Sequence, residues 1–243
     1  MNQALLRDCK MYVGGYDLSG DMNAHTIDYK AEIKDTTVFN DTSHRRIAGI
    51  KNVTSKHEGL WQSGVGAVDD ALFNSMGLVN VPITVCPTTG GEGEICYSFD
   101  AIQASYSPGM KMDDAFRFSV SAEGSDGQNL IHSNVIHNAT KSTTGTGTIF
   151  NLGAVGALQG LYGWLHVVAA SGGTPNLTVI VQSAALVGFG SPTTRLTFNA
   201  ATGIGYQSAT PLLGAITDAY WRVSYTISGS TPSFKFIVSL GIQ

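Results

Sequence analysis

The chain has 243 residues, of which 43% are hydrophobic and only 13% charged, with a formal net charge of −4 and a pI near 5.8. That length accommodates one large all-β domain or two small ones, with a real core in either case. The acidic balance excludes a general nucleic-acid binder, which needs clustered Lys and Arg. A charge share about half the usual one points to surface hidden against partners or hydrated by Ser, Thr, Asn and Gly.

The N-terminal stretch has no apolar run long enough for a signal peptide, and no segment reaches membrane-spanning length. Residues 10–15 predict a short strand with Met11 and Val13 on one side, ended by Gly14 and Gly15. Tyr16 to Gly20 reads as a turn. From Ala24 to Lys34 the pattern alternates strictly: Ile27, Tyr29, Ala31 and Ile33 face one way, Asp28, Lys30, Glu32 and Lys34 the other. This predicts a strand with one wet face, whose charges alternate in sign and can pair with neighbours. Asp35 to Arg46 is a polar loop carrying two apolar residues, Val38 and Phe39. Phe39 either makes a contact with a partner or folds back on its own core. Arg45 and Arg46, the basic pair of this loop, serve either a partner or solvent. Ile47 to Trp61 returns as a strand or two, broken near Ser55 and Lys56.

Residues 67–77 hold the predicted helix. Asp69 and Asp70 sit in its first turn, where the helix dipole favours them, Val68, Leu72 and Met76 form one apolar stripe, and Gly77 stops it. Val79 to Val85 predicts a strand, and Pro87 to Glu94 a flexible acidic turn. Ile95 to Ser105 and Ala115 to Ala122 predict strands, the second with Phe116, Phe118 and Val120 on one side. Glu123 to Gln128 reads as a seam. Asn129 to Gly147 reads as irregular strands or a long loop.

The charge is unevenly spread. Residues 124–243 carry only Lys141, Arg195, Arg222, Lys235, Asp126 and Asp218, so the chain divides into a charged portion, 1–123, and a low-charge portion, 124–243, read as integrated in the same domain. The second portion contains an internal repeat. Trp164–Val181 and Trp221–Val238 align without a gap, each with a Trp, an alternating run, Ser-Gly-x-Thr-Pro and a second alternating run ending in Val. Each copy predicts a hairpin turned by Gly172 or Gly229, with Pro opening the second strand where no ladder donor is needed. Trp164 and Trp221 predict packing anchors. Thr193 to Phe198 predicts a strand with Arg195 outward.

Chemistry is absent from these patterns. The six histidines are scattered, and His132 and His137 lack metal spacing. Cys9, Cys86 and Cys96 are odd in number; Cys86 and Cys96 can pair across a hairpin, but free thiols in a reducing compartment is the reading taken. No nucleophile elbow, phosphate loop or dinucleotide fingerprint occurs, and no cofactor is expected. Adjacent Asp113 and Asp114 cannot act as an acid–base pair on one substrate. Trp164, Trp221, Tyr162, Tyr220 and Tyr225 could form a sugar-stacking platform, but their alternation assigns them to the core.

Residues Tyr16 to Gly20, the strand through Tyr29, Asp35 to Phe39, Arg45–Arg46, Glu58 to Trp61 and the helix followed by Val81-Pro82-Ile83 resemble the tail tube (major tail) proteins of long-tailed, siphovirus-like bacteriophages. The two repeated segments look like other phage tail proteins. The resemblance implies an all-β subunit with one short packed helix, a β-sandwich or partial barrel whose sheets join neighbours into a ring. Six subunits per ring and stacked rings make a tube past whose wall double-stranded DNA slides as cargo. It implies that Val38, Phe39, Arg45 and Arg46 contact the next subunit or ring. It also implies an acidic lumen, for which Glu92, Glu94, Asp100, Asp113 and Asp114 are candidates. Such a protein would be non-enzymatic, bound to itself and to other tail proteins, assembled in the host cytoplasm and located in the virion. The alternative is a β-sandwich carbohydrate- or receptor-binding module on a virion surface.

Overall fold

A computed structural model describes residues 8–64, 66–125, 127 and 129–243. In chain order the elements are β1 (Lys10–Val13), β2 (Tyr16–Asp17), β3 (Met22–Asp35), β4 (Arg46–Leu60), α1 (Val68–Asn74), β5 (Val81–Cys86), β6 (Ile95–Gly109) and β7 (Arg117–Gly124). They continue with β8 (Ile131–Lys141), β9 (Gly145–Thr146), β10 (Phe150–Asn151), β11 (Gly160–Ala184), β12 (Thr193–Thr197), β13 (Gly205–Ser208), β14 (Leu212–Leu213) and β15 (Tyr220–Ile242). The fold is all-β with one short helix, and its named strand pairs are antiparallel.

The chain forms two compact units. Of the described residues, unit 1 takes those in 8–20, 80–100 and 131–243, and unit 2 those in 21–79 and 101–130. In unit 1 the strand order is β12-β11-β15-β8-β6-β5-β1-β2. Its spine is the pair β11–β15, 25 and 23 residues long.

This ribbon corrects the expectation of two hairpins. Neither Ser-Gly-x-Thr-Pro motif is a turn. Each lies inside one continuous strand, and the two motifs face each other, with Gly173 opposite Ser230. On either side the two copies of the repeat pair antiparallel, Leu165 with Val238 and Val181 with Val223. Because equivalent positions exchange places across the Gly173–Ser230 pair, the repeat forms a local pseudo-two-fold. At its centre the ladder shifts register, and Gly172 and Gly229 take φ of +114° and +127°. A Cβ on Gly172 would stand 2.7 Å from the Thr231 carbonyl oxygen, and one on Gly229 2.8 Å from that of Thr174. Thr174 and Thr231 are themselves left-handed, at +48° and +47°. Turn chemistry has been used here for a double bulge, which bends a ribbon without reversing it.

Both sides of the bend feed one core. Leu161, Leu165, Val167, Leu177, Val179 and Val181 of β11 pack with Trp221, Val223, Tyr225, Phe234, Phe236 and Val238 of β15. Each such side chain contributes roughly 1.5–3 kcal/mol by leaving water. The Trp anchors are as expected: Trp164 and Trp221 are buried, and their indole N–H groups donate to Asp100 Oδ1 at 3.0 Å and to the Gly153 carbonyl at 2.8 Å.

The opposite face of the first half of the ribbon covers Tyr12, Cys86, Cys96, Val135 and Ile237, together with a buried chain of hydroxyls. The Ser98 hydroxyl is its hub, hydrogen-bonded to Thr84, Ser133 and Ser239. His166 Nδ1 donates to the Gly14 carbonyl at 2.6 Å, which leaves Nε2 to accept from Thr84 at 2.8 Å. Ser133 belongs to β8, a strand across residues left open in the sequence; its ladder with β15 shifts register at Ile136, and its polar residues hide the alternation. All three cysteines are free thiols.

Arg195, Asp218, Arg222 and Lys235 of the low-charge portion are partnered, Lys235 donating to Asn138 at 2.6 Å. Arg195 is not outward but bonds Asp218 at 3.0 Å and Ser183 at 2.8 Å, and Arg222 lies 4.3 Å from the Phe189 ring centre.

Unit 2 is the meander β3-β4-β7 continued by the second half of β6, with α1 packed on it. Val68, Ala71 and Leu72 of α1 are buried. Gln103 Nε2 donates to the Leu72 carbonyl at 2.6 Å, and Ser75 donates to Gln103 Oε1 at 2.6 Å. The helix is shorter than predicted, and Met76, expected on its apolar stripe, lies beyond it and is exposed. Gly77 stops the turn at φ +74°. β4 is unbroken through Ser55 and Lys56.

Candidate functional site

The feature of unit 2 that its own core does not explain is an arm made by β3 and β4. β4 is held on its far side by β7 only from Thr54 to Leu60. Beyond that point residues 30–35 and 46–52 pair, among the described residues, with each other alone. The expected single wet face is therefore a correction: both faces of the arm are bare, and Tyr29, Ile33, Ile47 and Ile50 are all exposed. Alternation places Tyr29 and Ile33 of β3 on one side, as expected, whereas Ile47 stands opposite Lys34 on the charged side, and no other strand of the described chain reaches far enough to cover either. A two-stranded ribbon is marginal alone in water.

The root of the arm is fastened by a histidine pair that sequence reading missed. His25 and His57 are opposite each other in the ladder, with Nδ1 atoms 2.7 Å apart. The rings are within 5° of parallel with centres 4.8 Å apart, the separation of rings joined edge to edge through those nitrogens. One N–H donates to the other ring's lone pair. Ser55 Oγ lies 3.2 Å from His57 Nε2. Burial pulls His25 down to about 4 and His57 well below the ordinary range, with His25 adding to the latter. Only the cross-strand register brings the two together, and nothing in their spacing announces it.

The tip is built by its own polar residues. Asp35 Oδ1 accepts the Thr37 amide at 2.9 Å and Asp41 Oδ2 that of Val38 at 3.0 Å, while the Thr36 amide donates to the Arg45 carbonyl at 2.9 Å. The hydroxyl and amide of Thr37 hold the Asp35 carboxyl below its usual range. Such side-chain-to-backbone bonds define an ordered loop. They display Val38 at 59% and Phe39 at 113% exposure, so Phe39 does not fold back on its core. Arg45 lies 3.4 Å from Asp41 and remains largely in solvent, as does Arg46 at the start of β4. The four contact candidates Val38, Phe39, Arg45 and Arg46 are thus gathered at one end of one arm.

The acidic candidates are not gathered. Asp100 is wholly buried, accepting from Trp164 and Ser208, and faces no solvent at all; a carboxylate flanked by buried Phe99 and Ala101 serves the indole. Glu92 and Glu94 share the 87–94 loop of unit 1. That loop is clasped rather than flexible. Glu94 accepts from Thr88 at 2.6 Å and from the Gly91 amide at 3.0 Å; Glu92 accepts from Thr148 at 2.7 Å and lies 3.2 Å from His137 Nδ1. Asp113 and Asp114 are exposed on a loop of unit 2, Asp114 being 3.8 Å from Arg117. The alternative sugar platform does not form, since Trp164, Trp221 and Tyr225 are buried. Among the described residues no group of three or more metal ligands is found, and no helix is long and apolar enough to cross a membrane.

No family model and no curated protein matches the chain. Solved structures do. A chain from the virion of the native gene transfer agent particle is 11% identical, the match covering 53% of this chain and 98% of that one at a TM-score of 0.40. A chain from the tail of an empty gene transfer agent particle is 12% identical over 54% of this chain and 98% of that one, at 0.40. The SPP1 Dit protein, described as a hub of the adsorption apparatus in phages infecting Gram-positive hosts, is 12% identical over 97% and 99% at 0.35. These neighbours are virion, tail and hub proteins.

Proposed function

We propose that the chain is a structural, non-enzymatic protein of a phage tail that assembles with copies of itself and with other tail proteins. The observation that carries the reading is the β3–β4 arm: an ordered loop that holds Phe39 in water at the end of a ribbon bare on both faces. A protein that stayed solitary would gain nothing from ordering such a tip, and exposed apolar surface framed by polar residues is characteristic of contact sites. Six copies per ring, stacking into a tube and passage of double-stranded DNA follow from the resemblance to tail tube proteins. On this reading the arm reaches the neighbouring subunit or ring. Glu92, Glu94, Asp113 and Asp114 remain the lumen candidates, with assembly in the host cytoplasm and residence in the virion tail.

Negative-stain electron microscopy of the purified protein, with its mass in solution, tests this. Rings or tubes are expected. A protein that stays monomeric at every concentration, or one that binds glycans as a monomer, overturns the reading.

A further inference from the structure

The outer edge of β3 is bare. Among the described residues β3 pairs with β4 alone. From Ala24 to Asp35 it contains no Pro and no bulge of its own. The register shift there is absorbed by an extra residue in β4, because Ala31 stands opposite Lys51 and Ile33 opposite Ala48. Natural sheets blunt such edges by shortening, Pro, bulges or charge; β3 is long and has neither Pro nor bulge here, and its charges alternate in sign instead of sharing one. Short of Asp35, which stands opposite Arg46, its charges are Asp28, Lys30, Glu32 and Lys34, and β4 does not answer them: Thr54, Asn52 and Ile47 stand opposite Asp28, Lys30 and Lys34. They bond only along their own strand, Lys30 to Asp28 at 3.1 Å and Lys34 to Glu32.

Read backwards, this series is its own complement. We propose that two copies of the chain pair antiparallel through their β3 edges, about a two-fold axis at Ala31. Asp28 then stands opposite Lys34 of the second copy and Lys30 opposite Glu32, each pair occurring twice. On the other face Tyr29 stands opposite Ile33, and Ala31 meets itself. A one-sign edge would repel a second copy, whereas this one selects it in one direction and one register. The contact turns two marginal ribbons into a four-stranded sheet. It is isologous, so it is distinct from the head-to-tail contacts of a ring, and it goes beyond the proposed function without depending on it.

Sedimentation of the purified protein at micromolar concentration tests it. The wild type is expected to contain a species of about twice 25.6 kDa. K30E and E32K each place like charges opposite one another twice and should weaken that species by roughly 10- to 100-fold, with the circular dichroism spectrum of the fold unchanged because both side chains are exposed. Mixing K30E with E32K restores opposite charges at both positions and should restore the dimer. A wild type without the dimer, a K30E variant that dimerises as well as wild type, or a mixture that stays monomeric overturns the proposal. Rings or tubes in micrographs bear on the tail reading alone, so the two can fail separately.

Discussion

Replacing Phe39 with Asp separates assembly from folding. Phe39 is 113% exposed, so within one subunit the change should alter stability by no more than about 0.5 kcal/mol. Covering the ring in a partner would remove roughly 150–250 Å² from water, worth about 4–6 kcal/mol at about 25 cal/mol per Å². Ordering the contact consumes part of that. About 2–4 kcal/mol should remain, the range of an interface hot spot, before the cost of burying a carboxylate is added. Each assembly contact should therefore weaken by roughly 30- to 1000-fold. Electron microscopy and light scattering read assembly, circular dichroism with thermal melting reads the fold, and Phe39→Leu should assemble nearly as wild type. If the Phe39→Asp variant polymerises unchanged, the arm is not the contact. If it melts many degrees earlier, Phe39 belongs to its own core and the reasoning fails from the other side.

Three further outcomes are expected. Gly172→Ala and Gly229→Ala should each cost about 2–4 kcal/mol in urea unfolding, by nearly equal amounts, since each Cβ meets a carbonyl oxygen across the same local axis; a large inequality would refute the equivalence. Trp221→Ala should cost about 3–5 kcal/mol and orphan the Gly153 carbonyl, whereas Trp221→Phe should cost less, by thermal melting. Stability should fall with acid. Burial lowers His25, His137 and His166 from the ordinary 6.5 to about 4, so the unfolded chain binds more protons between those values. Their contribution is complete above pH 6.5 and lost as the pH drops towards 4, on the order of 3 kcal/mol for wholly buried His166. Urea midpoints measured from pH 7.5 to 4 check this, and a flat profile would contradict it.

Alternation is legible in the sequence and partnership is not. Phe118 and Val120 of β7 and the faces of β11 and β15 lie where period-two reading puts them. β3 reads correctly as a strand, yet its apolar face is uncovered, because coverage depends on where β7 ends and not on β3. The repeat is visible, but Ser-Gly-x-Thr-Pro reads as a turn. Gly and left-handed Thr serve a reversal and a bulge equally well, and only the facing strand decides between them. β8 is ambiguous in sequence because its Ser133 and His137 are buried, one among hydroxyls and the other against Tyr225 and Phe236, partners that no local pattern reveals. The tip of the arm can be read from an apolar pair within polar residues. The His25–His57 clasp cannot, being a product of register.

The pseudo-two-fold at Gly173 and Ser230 has a consequence for how the chain reaches its structure. β11 and β15 share the Ser-Gly-x-Thr-Pro bulge and the flanking Trp and Val, so a β11 meeting the β11 or β15 of another chain finds the same central pairing that its own β15 offers. Nothing local prevents this, for the strands are not joined by a tight turn. Even at the nearer end of the ribbon, Ala184 must find Tyr220 across the whole β12–β14 segment, and closing so long a loop is slow. During that interval encounters between chains compete with closure within one. Refolding yield should therefore fall with protein concentration, and the misfolded product should be an exchanged dimer. A protein whose copies are made in quantity at one place and time would be most exposed to that competition, which favours completing the ribbon before the subunits meet.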